Sequence, residues 1–192
     1  MKIKKIAALC SQAGMFSLLN KTDREGIVTQ WLGDGRAFYP LLGAPMMDKD
    51  SLCTMFDITG KKRENTIVRC DEMSDRANVN DLYEGDIHLE QEGLTICYEG
   101  TEILPLRETN RIICIQEKYL GPLDDEKKLL ELYSRTMDGV PHVVVKAGMM
   151  IRAVIGQYQV KENFADKLEI IAQACKEEAA KNRDKQEEDK EG

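Results

Sequence analysis

Apolar residues recur along this chain at two spacings, and the switches between them mark out its elements. At the N-terminus they fall at Ile3, Ile6, Ala7 and Cys10, the one-sided spacing of a helix, and Gly14 is placed to end it. Residues 15–19 and 27–32 read as strands, separated by a polar turn over 20–26. Gly33-Asp34-Gly35 is a tight-turn signal, since glycine adopts positive φ at little steric cost. Asp48 is positioned to N-cap a helix that covers Leu52, Met55 and Phe56. Residues 66–70 alternate as a half-buried strand, and the polar stretch 71–80 reads as a linker between two units.

In the second half, residues 86–90 and 94–98 are expected to form a hairpin across a turn at 91–93. Strands at 102–106 and 111–115 continue the meander. A short helix over 117–120 and the acidic turn Asp124-Asp125-Glu126 lead to strands at 129–133, 143–146 and 149–155. Phe164, Leu168, Ile171, Cys175 and Ala179 lie on one face of a closing helix. Residues 182–192 alternate in charge without an apolar anchor, so a disordered tail is expected there.

These elements predict an α+β fold of antiparallel β meanders with three or four helices. The expected organisation is a single domain over 1–181. It would contain two units, 1–70 and 86–160, and an amphipathic helix over 161–181. The recurring order of meander, short helix and strand suggests an internal duplication.

Composition narrows the function classes. The 192 residues are 42% hydrophobic and 32% charged, the proportions of a globular protein. No apolar run approaches the ~18 residues that span a bilayer, so no membrane role is expected. The N-terminus begins like a signal peptide, but its apolar run breaks at Ser11-Gln12, which reads as a mature cytoplasmic protein. A net charge of −7 argues against a nonspecific nucleic-acid coat, whose affinity rests on clustered Lys and Arg. It suits an acidic surface facing a basic groove. The six cysteines are widely spaced without a C-x-x-C pair, and most read as small buried hydrophobes.

No nucleophile elbow, zinc-protease helix, P-loop or dinucleotide fingerprint is present. The best catalytic candidate is Gln116-Glu117-Lys118, which with Asp86 or Glu102 would match a Mg²⁺-dependent nuclease; a polar helix start is the simpler reading. Asp48 and Asp50 fit helix capping better than metal ligation, and His88 and His142 have no acid partner at a recognisable spacing. The expectation is therefore no enzyme, no cofactor and no metal.

Binding candidates are more numerous. Lys61, Lys62 and Arg63 form a basic cluster able to touch phosphates. Trp31, Phe38 and Tyr39 flank the Gly-Asp-Gly turn and could stack on bases, although core packing explains them better. Glu84, Asp86, Glu90 and Glu92 crowd one predicted hairpin, where they could mimic phosphates or simply protect a sheet edge. Met149, Met150, Ile151 and Val154 form an adaptable apolar run suited to a core, a partner surface or a homodimer seam.

Two resemblances add to this reading. The element order over 2–157, with the run Ile115–Leu123 at the second helix and closing strands at 129–133 and 143–155, resembles one domain of the bacterial sliding clamp. That resemblance implies a replication accessory module contacting DNA or a polymerase. The N-terminal Lys-Ile-Ala-Ala-Leu-Cys helix, Gln30–Gly35, Phe38-Tyr39-Pro40 and Val145–Gly148 look like small prophage proteins of gut Clostridia. Some of these are type II anti-CRISPR inhibitors. This second resemblance implies a noncatalytic phage or prophage protein blocking a nucleic-acid enzyme, Cas9 with its guide RNA being the best target.

Overall fold

The computed structural model describes the backbone of residues 1–191 and the side chains of residues 1–181. The expectation of a disordered tail over 182–192 falls outside the fully described residues. The chain divides into two compact units, Met1–Tyr158 and Gln159–Gly192. The division lies beside the expected start of the C-terminal helix. Both helices and strands are abundant, and the fold is α+β.

The first unit opens with α1 (Ile3–Ala13), which ends at Gly14 with φ 66°, a left-handed cap that only glycine adopts freely. Three antiparallel strands follow: β1 (Met15–Thr22), β2 (Val28–Gly33) and β3 (Ala37–Pro40). Gly33 is required at the turn, because a Cβ there would lie 1.9 Å from the Ala37 carbonyl oxygen. Asp48 caps α2 (Lys49–Met55) by accepting from the Ser51 N–H at 2.8 Å. The basic run folds as a short helix, α3 (Gly60–Glu64). β4 (Ile67–Glu72) then returns parallel to β1 at the sheet edge.

The second half departs from the predicted hairpin. β5 (Ile87–His88) pairs with β10 (Leu130–Met137), whereas β6 (Glu90–Gln91) and β7 (Ile96–Tyr98) share one edge of β8 (Thr101–Glu108). β9 (Arg111–Gln116) occupies the other edge of β8. Residues 87–88 and 96–98 therefore serve two different sheets, with Glu90 already in the second, since each finds a longer partner strand than the other could offer. The predicted short helix is a 13-residue 3-10 segment, Glu117–Leu129. Pro122 inside it lacks an N–H and disfavours a regular α-helix.

β11 (Val140–Ala147) and β12 (Met150–Gly156) complete the main sheet, and β12 pairs with β3. The result is eight strands in the order β4-β1-β2-β3-β12-β11-β10-β5. The two halves of the sequence thus share one continuous sheet.

Strand alternation sends side chains to two faces of this sheet. One face, with Phe16, Leu18, Leu32, Tyr39, Val143, Val145 and Ile155, joins α1 and the second sheet in the large core. The other carries a smaller cluster of Trp31, Met73, Met137, Val144, Ile151 and Val154. A register shift at Val145/Lys146 places Ile151 opposite Lys146 and Ala153 opposite Val145, so these two β12 residues serve opposite faces. The expected linker does not link: Met73, Ala77 and Val79 belong to this second cluster, so residues 73–79 pack as a cover on the sheet.

The second unit holds α4 (Glu162–Glu191). Ile170, Ile171 and Cys175 on this helix are exposed. Among the described residues, no helix is long and apolar enough to cross a membrane.

All six cysteines are free thiols. Cys10 and Cys53 are buried and Cys114 half-buried, but Cys70, Cys97 and Cys175 are exposed. The expectation of mostly buried cysteines is corrected: Cys70 sits on the edge strand β4, whose side chains are largely solvated. Burial pushes the Cys10 thiol up to about 12, with the Asp34 charge adding to it, so this cysteine is not a ready nucleophile.

Candidate functional site

The densest polar arrangement lies where residues 78–86 cross the second face of the main sheet. Alternation along β10 and β11 puts Arg135 and Lys146 on that face, among apolar neighbours. Buried cations require a partner, and Asp86 supplies it. Arg135, 0% exposed, donates from Nε (2.7 Å) and a terminal nitrogen (2.7 Å) to the two Asp86 oxygens. Its remaining terminal nitrogen donates to the carbonyls of Asn78 (2.8 Å) and Asn80 (2.9 Å). Lys146 Nζ donates to Asp86 Oδ2 (2.7 Å) and to the Asp81 carbonyl (2.8 Å). The Asp81 carboxylate in turn accepts from the Ile151 N–H at 2.8 Å.

Two aromatic rings cover these cations. The Arg135 guanidinium carbon stands 5.0 Å from the Tyr83 ring centre, and Lys146 Nζ 4.9 Å from that of Tyr133. Both distances are within reach of cation–π attraction. Burial alone would raise the Asp86 carboxyl, but hydrogen bonds and charge from Arg135 and Lys146 outweigh it and hold the group below its usual range. The bidentate fork explains why arginine stands at 135: lysine could not satisfy one carboxylate and two carbonyls from a planar donor set.

The consequence is a short loop pinned at both ends. Asp81 and Asp86 are tied to the sheet, and between them Leu82 is 74% exposed and Glu84 is also solvated. The turn between β11 and β12 sets Met149, 71% exposed, and Met150 just before Ile151, the residue bonded to Asp81. An apolar side chain held outward by a fixed backbone binds a partner with little ordering cost, and methionines adapt to its shape.

The expected partner-binding residues are dispersed over the unit. Of the four acids, Asp86 belongs to the buried network. Glu90 and Glu92 both pair with Arg107, at 2.7 and 2.6 Å, and Glu84 alone has no described partner. Lys61, Lys62 and Arg63 are exposed on α3, where Lys62 donates to the Phe56 carbonyl at 3.0 Å and Arg63 stands 3.8 Å from Asp50. Trp31, 3% exposed, lies in the second apolar cluster and offers no stacking face to solvent. Lys2 and Lys5 pair with Asp125 and Asp124, which ties the N-terminal lysines to the acidic turn.

The nuclease constellation is not assembled around Asp86, whereas Glu102, the alternative acid, lines one cleft with Glu117 and Lys118. Both Asp86 oxygens are bound by cations, Glu117 accepts from the Thr95 hydroxyl at 2.8 Å, and Lys118 lies over the Tyr119 ring. Among the described residues, no group of three or more His, Cys, Asp or Glu is placed to hold a metal ion.

A second buried polar group supports the Gly-Asp-Gly turn. Asp34 accepts from the Arg36 and Ala37 N–H groups at 2.9 and 3.0 Å, and from the Tyr119 hydroxyl at 2.9 Å. The Tyr39 hydroxyl donates to the Tyr119 carbonyl at 2.7 Å. Burial pushes both phenols up, and the nearby Asp34 charge adds to it. Neither phenol ionises near neutrality, and the group is structural.

Sequence reasoning did not find Arg135 and Lys146. The available signal was a lysine closing the apolar run Val143-Val144-Val145-Lys146, with a second cation on a neighbouring strand. Two cations on one apolar face call for a buried acid. Compared with protein-family models, curated proteins and solved structures, the chain matches none of them.

Proposed function

We propose that this protein is a noncatalytic binding protein that acts by occlusion, with the loop 81–86 as its recognition element. One observation carries the reading: Leu82 and Glu84 are displayed between two aspartates that a buried charge network ties to the sheet. A loop fixed in this way pays its ordering entropy on folding and not on association. Its exposed apolar residue, Leu82, is the type of anchor that fills a pocket on a protein partner.

The partner class that suits this reading is a bacterial nucleic-acid enzyme, with a type II CRISPR effector nuclease as the best target and the protein as its phage-borne inhibitor. The net charge of −7 favours approach to a basic, DNA-handling channel, and Glu84 adds a free carboxylate at the displayed loop. Glu90 and Glu92, paired with Arg107, contribute less negative field than their number suggests.

The test is capture of the purified effector–guide RNA complex by the tagged protein, followed by a DNA-cleavage assay. Wild type is expected to bind and to slow cleavage, and the double substitution Leu82→Ala, Glu84→Lys to lose both while staying folded. Capture of polymerase or clamp-loader subunits from a bacterial lysate, with no binding to the effector, would replace this reading with the replication accessory role.

A further inference from the structure

Residues 73–79 do not lie flat on the sheet. Between them and β1, β3, β10 and β12 is a semi-open pocket of about 260 Å³. Its walls are apolar: Leu19, Phe38, Met73, Val79, Met137 and Val154. A cavity of about 150 Å³ lined by such side chains accommodates benzene, so this one has room for roughly ten non-hydrogen atoms. The covering segment continues directly into residues 78–86, which the Arg135 network holds in place. The pocket is thereby kept open by bonds made outside it.

The charges lining the pocket are not balanced. Arg76 pairs with Asp138 at 3.0 Å. His142 Nδ1 stands 3.0 Å from the Val140 carbonyl, a contact only a ring N–H can make, so its other nitrogen is the one left to bond elsewhere. Arg36 also lines the pocket; it is exposed, and no described ion pair or side-chain hydrogen bond holds its guanidinium, whose charge also reaches the Tyr119 phenol. An apolar chamber edged by an arginine outside any described ion pair is complementary to a ligand with an apolar body and a single anionic end. The neighbouring apolar cluster also contains Trp31, whose buried Nε1 has no hydrogen-bond partner.

We infer that the pocket beneath residues 73–79 binds a medium-chain monocarboxylate, with the alkyl chain between Phe38, Met137 and Val154 and the carboxylate on Arg36. This site is separate from the loop 81–86 and does not depend on the partner proposed for it.

The chain's single tryptophan supplies a reporter in the same apolar layer. Titrating the protein with octanoate is expected to change Trp31 fluorescence saturably with one site by calorimetry. The neutral analogue 1-octanol is expected to bind about tenfold more weakly or worse, the scale of a charge-assisted hydrogen bond. Arg36→Gln, at an exposed position, should bring octanoate down to the level of octanol. Val79→Phe should narrow the chamber and weaken both, leaving Trp31 the single reporter, with the fold checked by circular dichroism. Absence of saturable octanoate binding at millimolar concentration would overturn the proposal. So would equal binding of octanoate and octanol to wild type, or an octanoate affinity that Arg36→Gln leaves unchanged.

Discussion

The two faces of the eight-stranded sheet are covered by different chemistry. On one, α1, the 3-10 segment and the second sheet bury a continuous apolar cluster from Ile6 to Ile155. On the other, five buried apolar residues of the sheet are overlaid by an irregular segment, itself contributing buried Met73, that four hydrogen bonds from one arginine help to hold. Apolar packing is non-directional and tolerates substitutions that conserve volume. A buried ion network is directional, and one lost partner leaves the others unpaired. The first face therefore carries the stability of the unit, whereas the second fixes the geometry of a loop.

The comparison breaks most visibly at Arg135. Arg135→Ala leaves Asp86 Oδ1 and two carbonyls without their donor, with only Lys146 still on the carboxylate, and is expected to cost about 3–5 kcal/mol. Hydrogen exchange should show the loss concentrated in residues 78–86. Leu32→Ala, on the large-core face, is expected to cost about 2–5 kcal/mol. Here protection should fall across all strands of the sheet together, with urea denaturation giving the magnitude. If both variants lost protection uniformly, the two faces would be one cooperative unit and the distinction would fail.

Tyr119→Phe tests whether a polar group within the large core behaves like the network. It removes the hydroxyl that donates to Asp34 and should cost about 1–3 kcal/mol, the penalty for one unsatisfied buried acceptor. The readout is the thermal midpoint.

Acid offers a subtler separation. The Asp86 carboxyl is held below its usual value of 3.8, so its folded-state proton affinity is lower than in the unfolded chain. Its contribution is complete above the ordinary carboxylate range and fades as pH falls through the depressed value. The Arg135 Nε–H resonance should therefore persist at pH 5 and broaden below the usual aspartate range, while amides of the large core remain protected. Smallest of all, Lys61→Ala on α3 should change stability by no more than about 0.5 kcal/mol, measured by the same denaturation.

Much of the local structure was legible residue by residue. The apolar spacing from Ile3 to Cys10 marked α1, Asp48 marked its helix, and Gly33-Asp34-Gly35 marked the turn. In each case the determinant lies within a few residues of its effect. Trp31 read better as core than as a stacking platform, and it is buried. The hairpin at 86–98 misled because alternation defines a strand but not its partner. Ile87 and His88 pair with Ser134 and Tyr133, and Glu90 with Arg107. The stretch 71–80 looked like a linker because polar residues dominate it, yet Met73, Ala77 and Val79 suffice to seat it on an apolar face.

The same division holds for function. The sequence by itself determined most of the helices and strands, the α+β class and the acidic balance, all through local spacing and composition. Only the tertiary structure decided that Asp86 is an internal ion partner, that Glu90 and Glu92 are paired, and that Leu82 faces solvent. Asp86 meets Arg135 and Lys146 across 49 and 60 residues of chain. Pairings at that separation are chosen by which strands become neighbours in the sheet, a choice that no local pattern encodes.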